Sequence, residues 1–196
     1  MLQKQMVNGA GAVLFRRLPY MLSPQLDIYE RLDWIVENKS VLEVGFGTGL
    51  GVMQYVKHAN FVQAIEIDPA AVKFAKRCFP LKDVSWQLGD VTDWDAGGLK
   101  YDVIVMVEVL EHVFDYKKAL GNVRGFLRPG GQALITVPNN RRYRKKEESL
   151  NEQEWDPAGF KSDLMDYFDK VQLLNFNLDP LMDVNTRETP VVALCS

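Results

Sequence analysis

The stretch Val41-Leu42-Glu43-Val44-Gly45-Phe46-Gly47-Thr48-Gly49-Leu50-Gly51 limits the fold more than any other part of the chain. An apolar, β-branched run passes directly into alternate glycines at 45, 47 and 49, and a helical pattern from Leu50 to Lys57 follows at once. Glycines at a strand-to-helix turn let the backbone bend sharply and let a ligand approach without obstruction by a Cβ. Such a turn either cradles a nucleotide-like ligand or is only a tight connection; the residues downstream favour the ligand. Dinucleotide loops read Gly-x-Gly-x-x-Gly, but the residue three after Gly47 is Leu50, and starting from Gly49 or Gly51 fails too. A nicotinamide cofactor is therefore disfavoured.

Around this turn, short apolar runs alternate with helical patterns, the signature of an α/β domain with a mainly parallel sheet. Ser23-Pro24 opens a helix, with Ser as N-cap and Pro at the first helical position, and Ile28, Leu32, Ile35 and Val36 share its apolar face. Strands are expected at 41–44, 61–66, 84–88, 103–107 and 133–137. A helix opened by Asp68-Pro69 runs to about Cys78, and another runs from about Tyr116 to Leu127, where Arg128-Pro129-Gly130-Gly131 stops it. After a tail helix at Asp156-Pro157, the runs Val171 to Phe176 and Val191 to Cys195 have no helical pattern between them and are expected to pair antiparallel. Two segments fall outside the alternation: Met1 to Leu22, and the polar loop from Asn139 to Trp155. Loops longer than about 12–15 residues are usually functional or disordered.

Composition narrows the function classes. The 196 residues, 47% hydrophobic, suffice for one domain with a sizeable core. With 23 basic against 26 acidic residues the net charge is −3, so nothing in the whole-chain charge draws it to nucleic acid or a membrane surface. Cys78 and Cys195 make neither a disulfide framework nor a zinc cluster, which suits a cytoplasmic location. No stretch approaches the ~20 apolar residues that span a bilayer. Met6 to Phe15 is interrupted by Asn8 and followed by Arg16 and Arg17, so no secretory signal is expected.

Two acidic positions follow the glycine turn at telling distances. Glu66 ends the second strand, 21 residues after Gly45, where a carboxylate is placed to accept hydrogen bonds from ribose hydroxyls. Asp68 competes for that role but stands directly before Pro69, where it caps a helix. Gly89-Asp90 follows the third strand at the same edge: Asp90 could accept from the exocyclic amine of adenine, and the Val91 N–H could reach a ring nitrogen. Alone, Gly-Asp is a common turn pair.

With these segments in order, and with Leu127-Arg128-Pro129-Gly130-Gly131 before the fifth strand, the chain resembles the class I S-adenosylmethionine-dependent methyltransferases over residues 26–196. The resemblance implies a Rossmann-like three-layer α/β sandwich whose seven-stranded, mostly parallel sheet has an antiparallel last strand. It implies S-adenosyl-L-methionine as cofactor, with Glu43, Gly45, Gly47 and Gly49 holding the methionine part, Glu66 the ribose, and Asp90 with Val91 the adenine. The implied cofactor set also includes Phe46, Ile67 and Glu108. Residues 1–25 are then an N-terminal extension, either a lid over the cofactor or a further piece of core.

Ligands of open α/β sheets bind beyond the carboxyl ends of the strands, and the fourth strand ends in Glu108-Val109-Leu110-Glu111-His112. This run and Val137-Pro138-Asn139 look like the small-molecule branch typified by the ubiquinone-pathway O-methyltransferases. Methyl transfer is an in-line displacement at an already activated sulfonium, so the protein must align the nucleophile, exclude water and, for a hydroxyl, remove a proton. His112, with an ordinary pKa of ~6.5, is a candidate base with Glu111 as partner; packing or capping of a short helix explains it equally well. His58 reads as a surface residue. No nucleophilic cysteine lies at this edge, no Asn/Asp-Pro-Pro-aromatic motif follows the fourth strand, and no carboxylate set indicates a metal. The basic run Arg141 to Lys146 could meet an anionic substrate or a phosphate backbone, but Glu147, Glu148, Glu152 and Glu154 follow it, so a solvated loop is favoured. The expectation is methyl transfer to an oxygen of a small molecule. RNA or protein as acceptor and a cofactor-binding interaction subunit stand as alternatives; no membrane partner is expected.

Overall fold

The computed structural model describes residues 24–140 and 153–196. The N-terminal 23 residues and the basic run Arg141 to Lys146 lie outside the described residues. The chain divides into two compact units, residues 1–90 and 91–196.

The first unit holds α1 (Pro24–Tyr29), α2 (Asp33–Val36), β1 (Ser40–Val44), α3 (Leu50–Tyr55), β2 (Phe61–Glu66), α4 (Pro69–Cys78) and β3 (Val84–Leu88). β1 pairs in parallel with β2, Val41 opposite Val62 and Val44 opposite Ile65, and β2 pairs in parallel with β3. Val41, Leu42, Val62 and Ala64 are wholly buried, as expected for strands covered on both faces. The single helix read from Ser23-Pro24 is two short ones separated by Glu30 to Leu32; Ile28, Leu32, Ile35 and Val36 are nonetheless all buried. Asp68 does cap α4: its Oδ1 accepts from the Ala70 N–H at 2.8 Å, with Pro69 at the first position.

The second unit holds β4 (Tyr101–Val107), a 3₁₀ turn (Leu110–His112), α5 (Tyr116–Phe126), β5 (Leu127–Val137), α6 (Pro157–Met165), β6 (Val171–Leu174) and β7 (Val191–Cys195). β5 starts six residues before the expected Ala133. Arg128-Pro129-Gly130-Gly131 ends α5, but it does so from inside the strand, as a bulge: Tyr101 pairs with Leu127, and Val103 pairs with Gln132. Gly130 has φ 77°, and a Cβ on Gly131 would stand 3.0 Å from the Asp102 carbonyl oxygen, so the bulge needs both glycines. β6 is shorter than read, because Asn175 Oδ1 takes the N–H groups of Asn177 (2.8 Å) and Asp179 (3.0 Å) and turns the chain away. β7 runs antiparallel to both β5 and β6. Trp155 is core: its ring meets Tyr116 edge-on at 5.2 Å, and its Nε1 donates to Asp163 Oδ2 at 2.9 Å.

The seven strands form one sheet in the order β3-β2-β1-β4-β5-β7-β6, the α/β arrangement expected from the sequence. No described helix is long and apolar enough to cross a membrane.

Candidate functional site

Within the first unit, β1 feeds straight into the glycine turn. Gly45, Gly47 and Gly49 have φ of 71°, 55° and 85°, values that side chains with a Cβ rarely adopt, which is why glycine alternates here. The Gly45 N–H donates to the Ile65 carbonyl at 2.8 Å, tying the start of the turn to the end of β2. Beneath the turn lies Trp86 of β3. Phe46 meets it edge-on at 4.8 Å, and a Cβ on Gly49 would stand 3.0 Å from its Cη2. The Phe46 side chain is thus buried against Trp86, while Ile67 is more than half exposed.

Glu66 closes onto this turn. Its Oε2 accepts from the Gly47 N–H at 2.9 Å and its Oε1 from the Asp68 N–H at 3.0 Å. Burial pushes its carboxyl above the ordinary carboxylate range, against the pull of the Asp68, Gly47 and Ile67 N–H groups. The Gly89 N–H donates to the Glu66 carbonyl at 3.0 Å, so Gly89-Asp90 runs alongside, with Asp90 half-buried. Glycine turn, Glu66 and Gly89-Asp90 are therefore gathered at one place.

Glu43 faces elsewhere. It is completely buried, and both carboxylate oxygens are taken by tyrosine hydroxyls: Tyr29 donates to Oε1 at 2.6 Å and Tyr55 to Oε2 at 2.9 Å. Burial pushes its pKa up to about 8, the two hydroxyls offsetting part of the rise. The sequence pointed to Glu43 but not to its partners. Tyr29 precedes it by 14 residues and Tyr55 follows by 12, a spacing that carries no motif.

In the second unit, Val91 is buried and its carbonyl accepts from Asn122 Nδ2 at 2.9 Å, another contact with no sequence signal. Glu108, just past β4, has φ 54°, unusual outside glycine. Thr136 holds it in place: Glu108 N–H donates to Thr136 Oγ1 (3.0 Å) and to its carbonyl (3.2 Å), while Thr136 Oγ1 donates to Glu108 Oε1 at 3.2 Å. Burial raises the Glu108 carboxyl to about 7. Glu111 is buried and stands well above its ordinary range, through burial first and the Glu108 charge second; its Oε2 has no hydrogen-bond partner among the described residues. Two carboxyls so placed resist ionising together. His112 ends the 3₁₀ turn with its side chain about a third exposed, Nε2 3.8 Å from Glu111 Oε1. Among the described residues no group of three His, Cys, Asp or Glu side chains could hold a metal ion.

Residues 15–177 match the sequence profile of a family described as a methyltransferase domain. The chain belongs to this methyltransferase family. It is 30% identical over 112 residues to a probable S-adenosylmethionine-dependent methyltransferase of Mycolicibacterium smegmatis, covering 57% of this chain and 43% of that protein. It is 25% identical over 122 residues to the ubiquinone biosynthesis O-methyltransferase of Coxiella burnetii, covering 61% of this chain and 52% of that enzyme. The chain thus spans about half the length of these curated relatives. Among solved structures, a TehB-like methyltransferase from Corynebacterium glutamicum shares the fold with TM-score 0.71 and 21% identity, over 94% of this chain and 95% of that one. The N-methyltransferase NodS of Bradyrhizobium japonicum, solved with S-adenosyl-L-homocysteine, superposes with TM-score 0.68 and 15% identity, over 99% and 95%.

Proposed function

We propose that this chain binds S-adenosyl-L-methionine and transfers its methyl group to an oxygen of a small molecule. The observation that carries the reading is the 2.9 Å contact between the Gly47 N–H and the Glu66 carboxylate, which brings the glycine turn and the acidic end of β2 to one point. In this reading Glu66 accepts from the ribose hydroxyls, Asp90 and the Val91 N–H meet the adenine, and the backbone of Gly45 to Gly49 lies against the methionine part. Exposed Ile67 offers an apolar surface for the purine. The cofactor supplies a methyl group on a positively charged sulfur, so the protein need add no activating group of its own. What remains is to orient the acceptor and take its proton. In this reading Glu108, which burial raises to about 7, and His112, 3.8 Å from Glu111, are the groups that would take it. Oxygen as the acceptor atom is supported by the ubiquinone-pathway relative.

Calorimetry with S-adenosylmethionine, S-adenosylhomocysteine and NAD tests the cofactor. The adenosyl compounds should bind, NAD should not, and Glu66→Ala should weaken adenosyl binding. Tighter binding of NAD, or an unaffected Glu66→Ala, refutes the assignment. Labelled-methyl incorporation into hydroxylated small molecules and into RNA then tests the acceptor; label found only in RNA overturns the small-molecule reading.

A further inference from the structure

The glycine turn is bracketed on both sides by one buried cluster. Glu43 stands two residues before Gly45, and Gly51 and Tyr55 follow Gly49 on α3. Tyr29, at the end of α1, reaches both flanks. Its hydroxyl holds Glu43 Oε1 at 2.6 Å, and its ring occupies the space where a side chain at position 51 would begin: a Cβ on Gly51 would lie 2.5 Å from Tyr29 Cε2 and Cζ. Gly51 is therefore glycine because the Tyr29 ring is there, and no backbone requirement is involved. Tyr55 stacks with Tyr29, centroids 6.2 Å apart and planes 14° from parallel, and takes the other Glu43 oxygen at 2.9 Å. The chain thus closes a ring of contacts, strand to α1 to α3 and back to strand, around the five residues from Gly45 to Gly49.

We propose that Tyr29 and Tyr55 are positioning residues for the cofactor turn: acting through the Glu43 carboxyl group, they set the separation of its two ends and so the path of its backbone. The proposal rests on the cofactor reading above. It gives α1 a role in binding although α1 precedes every segment that reads as cofactor-contacting. It also accounts for a carboxyl group kept out of water with both oxygens occupied, an arrangement costly to leave half-satisfied.

The test is S-adenosylhomocysteine affinity by calorimetry, at a temperature where circular dichroism shows wild type, Tyr29→Phe, Tyr55→Phe and Val62→Ala all folded. Val62, buried in β2 away from the cluster's hydrogen bonds, is the control for stability loss alone. Each tyrosine variant, lacking one hydroxyl, should bind about tenfold more weakly or worse, and the double variant should lose less than the product of the two, because both donors serve one carboxyl group. Val62→Ala should melt earlier and bind as wild type. Tyrosine variants that only melt earlier, with affinity unchanged, overturn the proposal. Should either fail to fold, Gly51→Ala, which drives the Tyr29 ring aside, must weaken binding too, and unchanged affinity there overturns it equally. A wild-type chain that binds no S-adenosylhomocysteine removes the cofactor reading and the positioning role together, an outcome distinct from variants that bind as wild type.

Discussion

Replacing Glu43 with Gln should remove part of the pH dependence of stability between about pH 5 and pH 8. In the folded chain the Glu43 carboxyl keeps its proton up to about 8, against an ordinary 4.5, because it is completely buried and two tyrosine hydroxyls restore only part of the lost hydration. In the unfolded chain the proton leaves near the ordinary value. Between those limits the folded state binds a proton that the unfolded state has lost, so stability falls as pH rises, by at most about 1.4 kcal/mol per pH unit. Below the lower limit both states are protonated and above the upper neither is, so the slope disappears at each end. Across the interval the loss reaches several kcal/mol, a large share of the ~5–15 kcal/mol that holds a domain folded. Gln has the same shape and does not ionise. Any fixed cost of the amide beside Tyr55 is independent of pH and leaves the slope alone. Glu66, Glu108 and Glu111 are shifted in the same direction, but they are present in both proteins and cancel in the difference. Urea unfolding followed by circular dichroism, from about pH 5 to about pH 9, gives that difference directly. The variant should gain on wild type by about 1 kcal/mol per pH unit through the middle of the range and then level off. A constant offset would mean that Glu43 is ionised when buried, and the account of the cluster would fail.

Three further outcomes follow from particular contacts. Gly51→Ala should lower stability by about 1–3 kcal/mol through overpacking against the Tyr29 ring, and with Tyr29→Ala in a double-mutant cycle read by thermal melts the double variant should lose less than the sum of the two single losses, because the clash goes with the ring. Asp68→Ala should cost ~1 kcal/mol through the lost cap on α4 and leave S-adenosylhomocysteine affinity unchanged in calorimetry, separating it from Glu66. Arg128→Ala should change the unfolding free energy by less than about 1 kcal/mol, because its 2.8 Å pair with Asp102 is solvent-exposed; a larger loss would show that the bulge in β5 depends on it.

Much of the fold was legible because the signals were local. The alternation of apolar runs located every strand, and β2, β3 and β7 were bounded to the residue. Asp68-Pro69 and Asp156-Pro157 marked helix starts through caps that span only two or three residues. The errors arose where tertiary partners decide. Pro129-Gly130-Gly131 looks like a stop, yet the pairing of Leu127 with Tyr101 makes it a bulge within a strand. The cluster around Glu43 was invisible for the same reason: a tyrosine in α1 and another in α3 become neighbours only when both helices pack against the Glu43 side chain of β1. The family resemblance put Glu43 with the turn; only the packing shows which way its carboxyl group points.

The state of Glu66 decides how its replacement should be interpreted. A carboxylate presents about four lone-pair sites. The N–H groups of Gly47 and Asp68 take two of them. A ribose diol bringing two hydroxyl donors would fill the two that remain, so binding in the proposed manner can keep both backbone contacts. Glu66→Ala then does two things at once: it removes the acceptor for ribose and unties the turn from the end of β2. Its effect on affinity should exceed the ~1.5–3 kcal/mol of one charge-assisted hydrogen bond. Glu66→Gln keeps one oxygen for Gly47 and loses the charge, so it should fall between wild type and Glu66→Ala in affinity while melting close to wild type. If the two variants weaken binding equally, the turn does not depend on the Gly47 contact, and ribose recognition alone accounts for Glu66.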